Sequence, residues 1–449
     1  MSQMIATSKV KAIIGTGITG LSVARFLVRQ QQQFILLDTR AVPPNLEAVQ
    51  QEFPGIVIEC GELKSDTLLA CDEIIVSPGV AITTPAIAQA QAAGIPVVGD
   101  IELFARYAKA PIVAITGSNA KSTVTTLVGE MAVAAGIQVA VGGNLGTPAL
   151  DLLNDAVELY VMELSSFQLE TVSKLNAKVA TILNISADHL DRYTDMRAYI
   201  LAKLRVYFGA EHIVVNRNDV LTHPPLAAGV KPTYFGGKAD FGSFGLIDDE
   251  GQLYLAKNLT RLMSANELKI RGKHNVDNAL AALALGDAAG IPMDAMIATL
   301  KTFRGLRHRC EFVAQKNNVE FYNDSKGTNI GATLAAIKGL ARSPAQLIVI
   351  AGGEGKGQDF TELKPALASN TCQLVLIGRD APVIASAVGD VAPVSFASSM
   401  KDAVTKAFAL ASSGDAILLS PACASFDMFK NYEDRGEKFC MAVQELIAS

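Results

Sequence analysis

The sequence predicts an α/β protein of three successive domains: a Rossmann-like N-terminal domain, a central P-loop ATPase-like α/β domain and a Rossmann-like C-terminal domain. Three observations predict it. The 449 residues amount to about three domains at roughly 150 residues each. Short apolar runs alternate with helical stretches and are punctuated by Gly, Asp or Ser-Pro, the pattern of βαβ units on a parallel sheet. That pattern restarts twice, giving expected domains at 1–100, 101–305 and 306–449.

In the first segment Val10–Ile14 reads as a strand, Leu21–Arg29 as a helix, and Phe34–Leu37, Ile56–Ile58 and Ile74–Val76 as further strands. The second opens with strand Ile112–Ile115 and helix Thr123–Ala135, followed by buried strands Leu159–Met162 and Val179–Leu183 and a helix over Arg197–Phe208. Residues 232–271 read as short β pieces with a hairpin around Asp248-Asp249-Glu250-Gly251, and His274–Ala289 as an Ala/Leu-rich helix. The third segment carries strands Val319–Tyr322, Leu347–Ile350, Leu374–Ile377 and Ile417–Leu419.

Composition excludes several classes. Half the residues are hydrophobic and 18% charged, which excludes dominant disorder. A net charge of -5 does not point to nucleic acid or an anionic membrane. Six cysteines at 60, 71, 310, 372, 423 and 440, with no Cys-x-x-Cys, read as reduced thiols of a cytoplasmic protein. The first residues run straight into a strand pattern, so no signal peptide is expected. No apolar run reaches the ~18 residues of a membrane helix.

Gly15-Thr16-Gly17-Ile18-Thr19-Gly20 follows a strand and opens a helix, matching G-x-G-x-x-G. Asp38 ends the next strand, where a ribose-binding acid would sit. The residues allow a nicotinamide or flavin site, another pyrophosphate ligand, or a glycine turn in an ordinary βα unit. Residues 116–123, TGSNAKST, again join strand to helix. Lysine followed by serine at a helix N-terminus suits a triphosphate and its Mg²⁺. The strict Walker form fails at Ile115 and Ala120, so a plain loop stays open.

Glu163 ends a buried strand, where an acid can hold the Mg²⁺ of a nucleotide, although many loops begin with an acid. Asn184, Asp188, His189 and Asp191 crowd together after the next strand. Lys203 reads as a surface helical lysine. His274-Asn275-x-x-Asn278 reads as a helix cap, with base binding the alternative. Asn323 to Asn329 lie at a strand tip facing a ligand crevice. Gly352-Gly353-Glu354-Gly355-Lys356-Gly357 resembles an anion cradle, and Arg307-His308-Arg309 a solvated basic turn.

From about Ile13 to the C-terminus the chain resembles the Mur ligase family. The stretches that carry this are TGSNAKST, GGNLGTPAL, MELSSFQLE, DHLDRY, Leu201–Leu204, GKHNVDNAL, NDSKGTN and SPACASFDMFKNYEDRG. The last is specific to the glutamate-adding member. The resemblance implies a three-domain ligase of cell-wall precursor synthesis, with one domain each for a UDP-sugar, ATP and an amino acid. Its activity would be ATP-dependent addition of D-glutamate to UDP-N-acetylmuramoyl-L-alanine through an acyl phosphate, giving ADP and phosphate. Partners would be these small molecules, with no nucleic acid and no membrane insertion, acting on a monomer.

The resemblance also assigns roles. Gly17, Ile18, Thr19, Asp38, Thr39, Arg40 and Gly79 would contact uridine diphosphate, and Asn144, at the reacting carboxylate, and His189 would also bind the UDP-sugar. Gly117, Ser118, Asn119, Ala120, Lys121, Ser122 and Thr123 would cradle the ATP phosphates, and Asn278, Arg309 and Asp324 would meet base, phosphate and ribose. Ser122 and Glu163 would hold a first Mg²⁺, and His189 with a carbamylated Lys203 a second. Lys326, Thr328, Lys356, Ser425 and Tyr432 would form the D-glutamate site. Lys121, Glu163, His189, Lys203 and Asn144 would be the catalytic set.

Two positions depart from the family. Ala120 replaces the glycine before the lysine, costing on the order of 1 kcal/mol if its φ is positive; retained ATP use is expected. Tyr432 replaces a phenylalanine, with a modest effect expected. The alternatives are a folylpolyglutamate-synthetase-like ligase, a nicotinamide-dependent oxidoreductase and a catalytically silent nucleotide-binding module.

Overall fold

A computed structural model describes residues 10–448 except 44–45, 190–191, 227–230, 271, 341–344, 356 and 371. The chain forms two compact units: 1–185 with 195–245 and 281–296, and 186–194 with 246–280 and 297–449.

The first unit begins with five parallel strands, β1 (Val10–Ile14), β2 (Gln33–Asp38), β3 (Ile58–Cys60), β4 (Glu73–Val76) and β5 (Val97–Val98), in the order β3-β2-β1-β4-β5. The order reverses between β1 and β4, so their C-terminal tips open the crevice in which doubly wound folds bind ligands. Strand β3 lies two residues beyond the expected Ile56–Ile58. Helix Ile18–Arg29 starts earlier than its apolar stripe because the glycine turn feeds it directly. A Cβ on Gly20 would lie 1.8 Å from the Gly15 carbonyl oxygen, so only glycine lets this helix pack against the strand.

The same unit continues with β6 (Ile112–Thr116), β7 (Val139–Gly143), β8 (Leu159–Glu163), β9 (Val179–Ile182), β10 (His212–Asn216) and β11 (Thr233–Lys238), all parallel, in the order β11-β10-β9-β6-β8-β7. Every residue of β6, β8 and β9 is buried, the near-continuous apolar run of a sheet covered on both faces. The chain leaves β6 in one direction and returns past it from β8 to β9, which places the tips of β6, β8 and β9 at a switch point.

Between the two sheets lies helix Asp100–Tyr107. Burial pushes the Asp100 carboxyl up to about 6, although Gln168 Nε2 donates to it at 3.2 Å. A carboxyl raised above its ordinary 3.8 contributes stability that is complete below that value and is lost as pH rises through about 6. Asp100→Asn should therefore gain melting temperature relative to the parent between about pH 4 and about pH 7. A difference that does not change with pH would contradict this.

Strand β12 (Ser243–Asp249) carries the chain towards the second unit, where β13 (Gln252–Lys257) and β14 (Thr260–Ser264) pair antiparallel. The link from β12 to β13 is Glu250-Gly251, both with positive φ (53° and 86°). This is the two-residue hairpin expected from Asp-Glu-Gly. Six more strands follow: β15 (Glu311–Lys316), β16 (Val319–Asn323), β17 (Leu347–Gly352), β18 (Cys372–Ile377), β19 (Val394–Phe396) and β20 (Ala416–Leu419), ordered β15-β16-β20-β17-β18-β19. All pairs are parallel except the edge strand β15. Alternation on β17 splits its core: Val349 and Ala351 join one apolar cluster, Ile348 and Ile350 the other. The sheet is thus covered on both faces. No helix among the described residues is long and apolar enough to cross a membrane.

Candidate active site

In the first sheet Gly17 lies in the loop after β1, Ile18 and Thr19 open the helix that follows it, and Gly79 lies in the loop after β4. Asp38 at the tip of β2 is buried. Its Oδ2 accepts from the Thr16 amide and hydroxyl at 2.9 and 2.7 Å and from Arg40 at 2.7 Å, and its Oδ1 accepts from the Arg40 amide and Nε. Burial pushes this carboxyl up, but the Arg40 and Thr16 donors hold it well below the usual carboxylate range. Asp38 therefore shapes the glycine turn. Arg40, expected as a cation beside an anionic ligand, is tied to Asp38, and its side chain is half-exposed. Thr39 beside it is exposed. Thr16 was not among the expected site residues; only its place inside the glycine turn signals it.

At the switch point of the second sheet, the loop after β6 runs into helix Lys121–Ala134. Ala120 has φ 65°, so the departure from glycine carries its cost. Ala120→Gly should raise stability to chemical denaturant by about 1 kcal/mol, less the extra chain entropy of glycine, with ATP use unchanged. A lower denaturation midpoint would contradict this. Lys121 Nζ donates to the carbonyls of Gly117 and Ser118 at 2.8 and 3.0 Å. The Ser118 hydroxyl pairs with Tyr199 at 2.9 Å, and the Asn119 amide donates to Asn184 Oδ1 at 2.8 Å. Ser122 and Thr123, in the first helical turn, are buried.

Glu163 at the tip of β8 is also buried. Asn144 Nδ2 donates to its Oε1 at 2.7 Å, while the buried Oε2 has no hydrogen-bond partner. An orphaned carboxylate oxygen beside a phosphate-loop helix suits a cation. Among the described residues no cluster of three or more His, Cys, Asp or Glu side chains is arranged to hold a metal.

Lys203 corrects the surface reading. Its helix is Met196–Leu204, ending in a single 3-10 turn at Arg205–Tyr207, and the side chain is 1% exposed. The ammonium donates to the Gly117 carbonyl at 2.9 Å and to Thr116 Oγ1 at 3.4 Å, and lies 4.8 Å from the Tyr199 ring centroid. It therefore sits beneath the phosphate loop, where no single-helix pattern could place it.

His189 belongs to the second unit. Its φ is 56°, and its ring lies 3.7 Å from Asp188. Asp188 also accepts from Asn329 at 3.2 Å. Asn275 and Asn278 are buried inside helix Lys273–Ala289 and bonded to each other at 3.0 Å; this corrects the capping reading. Burial pushes the Asp324 carboxyl up to about 7, against Ser420, Arg309 and Cys310, which lower it. This makes Arg309 and Asp324 electrostatic neighbours.

Lys326 Nζ lies 3.7 Å from the Tyr432 ring centroid, and Thr328 and the buried Ser425 follow on the same strand-tip loops. Lys356 lies outside the described residues, as does Asp191. The glycine run that follows β17 is not an open anion cradle. The amides of Gly352 and Glu354 donate to Pro421 and Ala424 carbonyls, and that of Gly355 to Asp380 at 2.7 Å. Arg307-His308-Arg309 is only partly a solvated turn: Arg307 is exposed, but His308 is buried. Arg435 went unnoticed in the sequence. It is fully buried and donates to Ser325 and to the carbonyls of Cys423 and Ala424.

Comparison with known proteins decides the family. Residues 9–99 match the Mur ligase MurD-like N-terminal domain, residues 115–286 the Mur ligase middle domain, and residues 308–423 the Mur ligase glutamate ligase domain. Over 443 residues the chain is 55% identical to a UDP-N-acetylmuramoylalanine–D-glutamate ligase of Pseudomonas savastanoi pv. phaseolicola, covering 98% of this chain and 99% of that one. This chain belongs to the Mur ligase family. A relative of the same name from Acinetobacter baylyi is 51% identical to this Mur ligase over 450 residues, covering 99% of this chain and 100% of that one.

Solved structures share the fold with this Mur ligase at low identity. A pseudomurein peptide ligase type C from Methanothermus fervidus aligns with a TM-score of 0.61 at 19% identity, over 98% of this chain and 100% of that one. UDP-N-acetylmuramate-alanine ligase from Thermotoga maritima gives 0.58 at 19%, over 98% and 99%. The expected three α/β domains are those of the Mur ligases.

Proposed function

We propose that this Mur ligase adds D-glutamate to UDP-N-acetylmuramoyl-L-alanine, consuming ATP and releasing ADP and phosphate, in the synthesis of peptidoglycan precursors. The observation that carries the reading is identity of 55% to ligases of that name over nearly the full length of both chains. The six free cysteines suit a reducing cytoplasm, and the enzyme is read as a monomer.

The first sheet's crevice would hold uridine diphosphate, with Asp38 fixing the glycine turn. The loop after β6 would hold the triphosphate: its amides and the helix N-terminus attract the phosphates, and Lys121 neutralises charge as the terminal phosphoryl group leaves. The substrate carboxylate attacks that phosphorus to form an acyl phosphate. The amine of D-glutamate then attacks the carbonyl carbon, and phosphate departs as the tetrahedral intermediate collapses. Asn144 would orient both Glu163 and the reacting carboxylate.

Ser122 and Glu163 would hold a Mg²⁺, which supplies charge neutralisation between two anions. A second ion at His189 and a carbamylated Lys203 is the finer part of the proposal. Lys203 is buried beside the loop after β6, which would place such a carbamate next to the ATP phosphates. Arg309 and Asp324 would meet nucleotide phosphate and ribose, and Asn278 the base. Lys326, Thr328, Lys356, Ser425 and Tyr432 would bind D-glutamate. The test is phosphate release by the purified chain. It should require ATP, UDP-N-acetylmuramoyl-L-alanine and D-glutamate together; equal release with L-glutamate, or without the UDP-sugar, contradicts the reading.

A further inference from the structure

We infer that His308 is a positioning residue for the amino-acid site, acting through its ring Nδ1 as a hydrogen-bond acceptor; this rests on reading the β16 and β20 tips as the D-glutamate site. The residue sits where two basic neighbours suggest solvent, yet its side chain is only 6% exposed. Its φ is 62°, a left-handed conformation tolerated by Asn, Asp and His more than by other side chains. The backbone is tied down on both sides: the amide donates to Glu311 at 2.8 Å, and the carbonyl accepts from the Lys326 amide at 3.0 Å. The turn is therefore stitched directly to the loop that carries Lys326 and Thr328.

The ring completes the connection. Its Nδ1 lies 2.9 Å from Asn323 Nδ2 at the tip of β16. The orientation of that amide follows from its other bonds. Oδ1 accepts from the Ser325 amide at 3.1 Å, and Nδ2 donates to the Gly436 carbonyl at 3.2 Å. An amide nitrogen cannot accept, so Nδ1 must, which puts the proton of the neutral ring on Nε2. A Cβ on Gly436 would lie 2.2 Å from Nδ1, so helix Tyr432–Ala448 approaches the ring as closely as glycine allows. The ring meets Tyr432 edge-on, with centroids 6.3 Å apart, and Tyr432 is the ring beneath the Lys326 ammonium. Residue 308 thus holds the backbone of Lys326 through its carbonyl, while its imidazole holds the tip of β16 and packs against the start of the helix that carries Tyr432.

The test uses three variants of the full chain. In asparagine Oδ1 occupies the place of histidine Nδ1 and the left-handed backbone is tolerated. His308→Asn should keep the KM for D-glutamate within about threefold of the parent. His308→Ala removes the acceptor and His308→Gln moves it one bond outward. Both should raise that KM about tenfold or more, with the KM for the UDP-sugar within about twofold. A KM for D-glutamate unchanged in both, or raised equally in His308→Asn, overturns the inference. So does a loss confined to kcat, which is what mere structural damage would give. If His308→Ala does not fold, the Asn and Gln variants decide. Nitrogen-15 spectra of the parent should show the Nε2-protonated ring, and the opposite tautomer overturns the inference independently of turnover. A parent without D-glutamate-dependent turnover defeats the functional reading instead, and leaves the tautomer result to judge the geometry.

Discussion

Lys121→Ala is expected to lower kcat/KM for ATP by on the order of 10³-fold, the scale for removing one charged group from a transition state that gathers negative charge. The lysine opens a 14-residue helix at the switch point among the parallel strands β6, β8 and β9. In the proposed function the helix dipole, the loop amides and the ammonium would converge on the terminal phosphate. Its side chain donates to two carbonyls of its own loop, so truncation should leave the fold intact. Steady-state kinetics with unfolding monitored in parallel checks this. Near-parent turnover in a folded variant would show that Lys121 does not serve the phosphoryl group.

Arg435→Met is expected to cost about 4 kcal/mol of stability. The guanidinium is completely buried, and burial lowers its pKa to about 10. Among the described residues its hydrogen bonds go to neutral oxygens: Nε to the Ser325 hydroxyl at 3.0 Å, Nη1 to the carbonyls of Cys423 and Ala424, and Nη2 to the Ser325 carbonyl at 2.8 Å. Methionine fills similar volume and removes a costly buried charge, but it leaves several interior acceptors without donors, and that loss should dominate. Arg435→Lys should recover only part of the stability, because a point charge cannot span two loops as the planar fork does. Urea unfolding monitored by near-ultraviolet circular dichroism gives the comparison. A methionine variant as stable as the parent would mean that the bonds merely repay the desolvation of the cation.

Strand and helix identities were legible because they depend on short-range pattern. Parallel strands such as β6 and β8 are continuous apolar runs, and glycines sit where backbone meets backbone, as at Gly20. The strands missing from the expectation show the limit. Val139–Gly143 ends in two glycines and is mostly half-buried, and Glu311–Lys316 is a half-exposed edge strand, so neither carries a core signature. The two-residue strand Val97–Val98 is too short for one.

Within the site, residue types at strand tips were readable, but their partners were not. Lys203 and Arg435 look like surface cations in one dimension, and each is buried by contacts about 86 and 110 residues away along the chain. Asp38 resembles a ribose ligand in sequence, yet its oxygens are occupied by Thr16 and Arg40. The glycines after β17 look like an anion cradle, yet Asp380 already occupies one of their amides. In each case the deciding partner comes from another segment, and periodicity carries no information about it.

The measurement that tests the central claim most directly follows oxygen-18 from the carboxylate of UDP-N-acetylmuramoyl-L-alanine. Activation by the terminal phosphoryl group predicts one labelled oxygen in the released inorganic phosphate for each amide formed with D-glutamate. Label appearing in AMP, or phosphate released without label while product forms, would contradict an acyl-phosphate ligase.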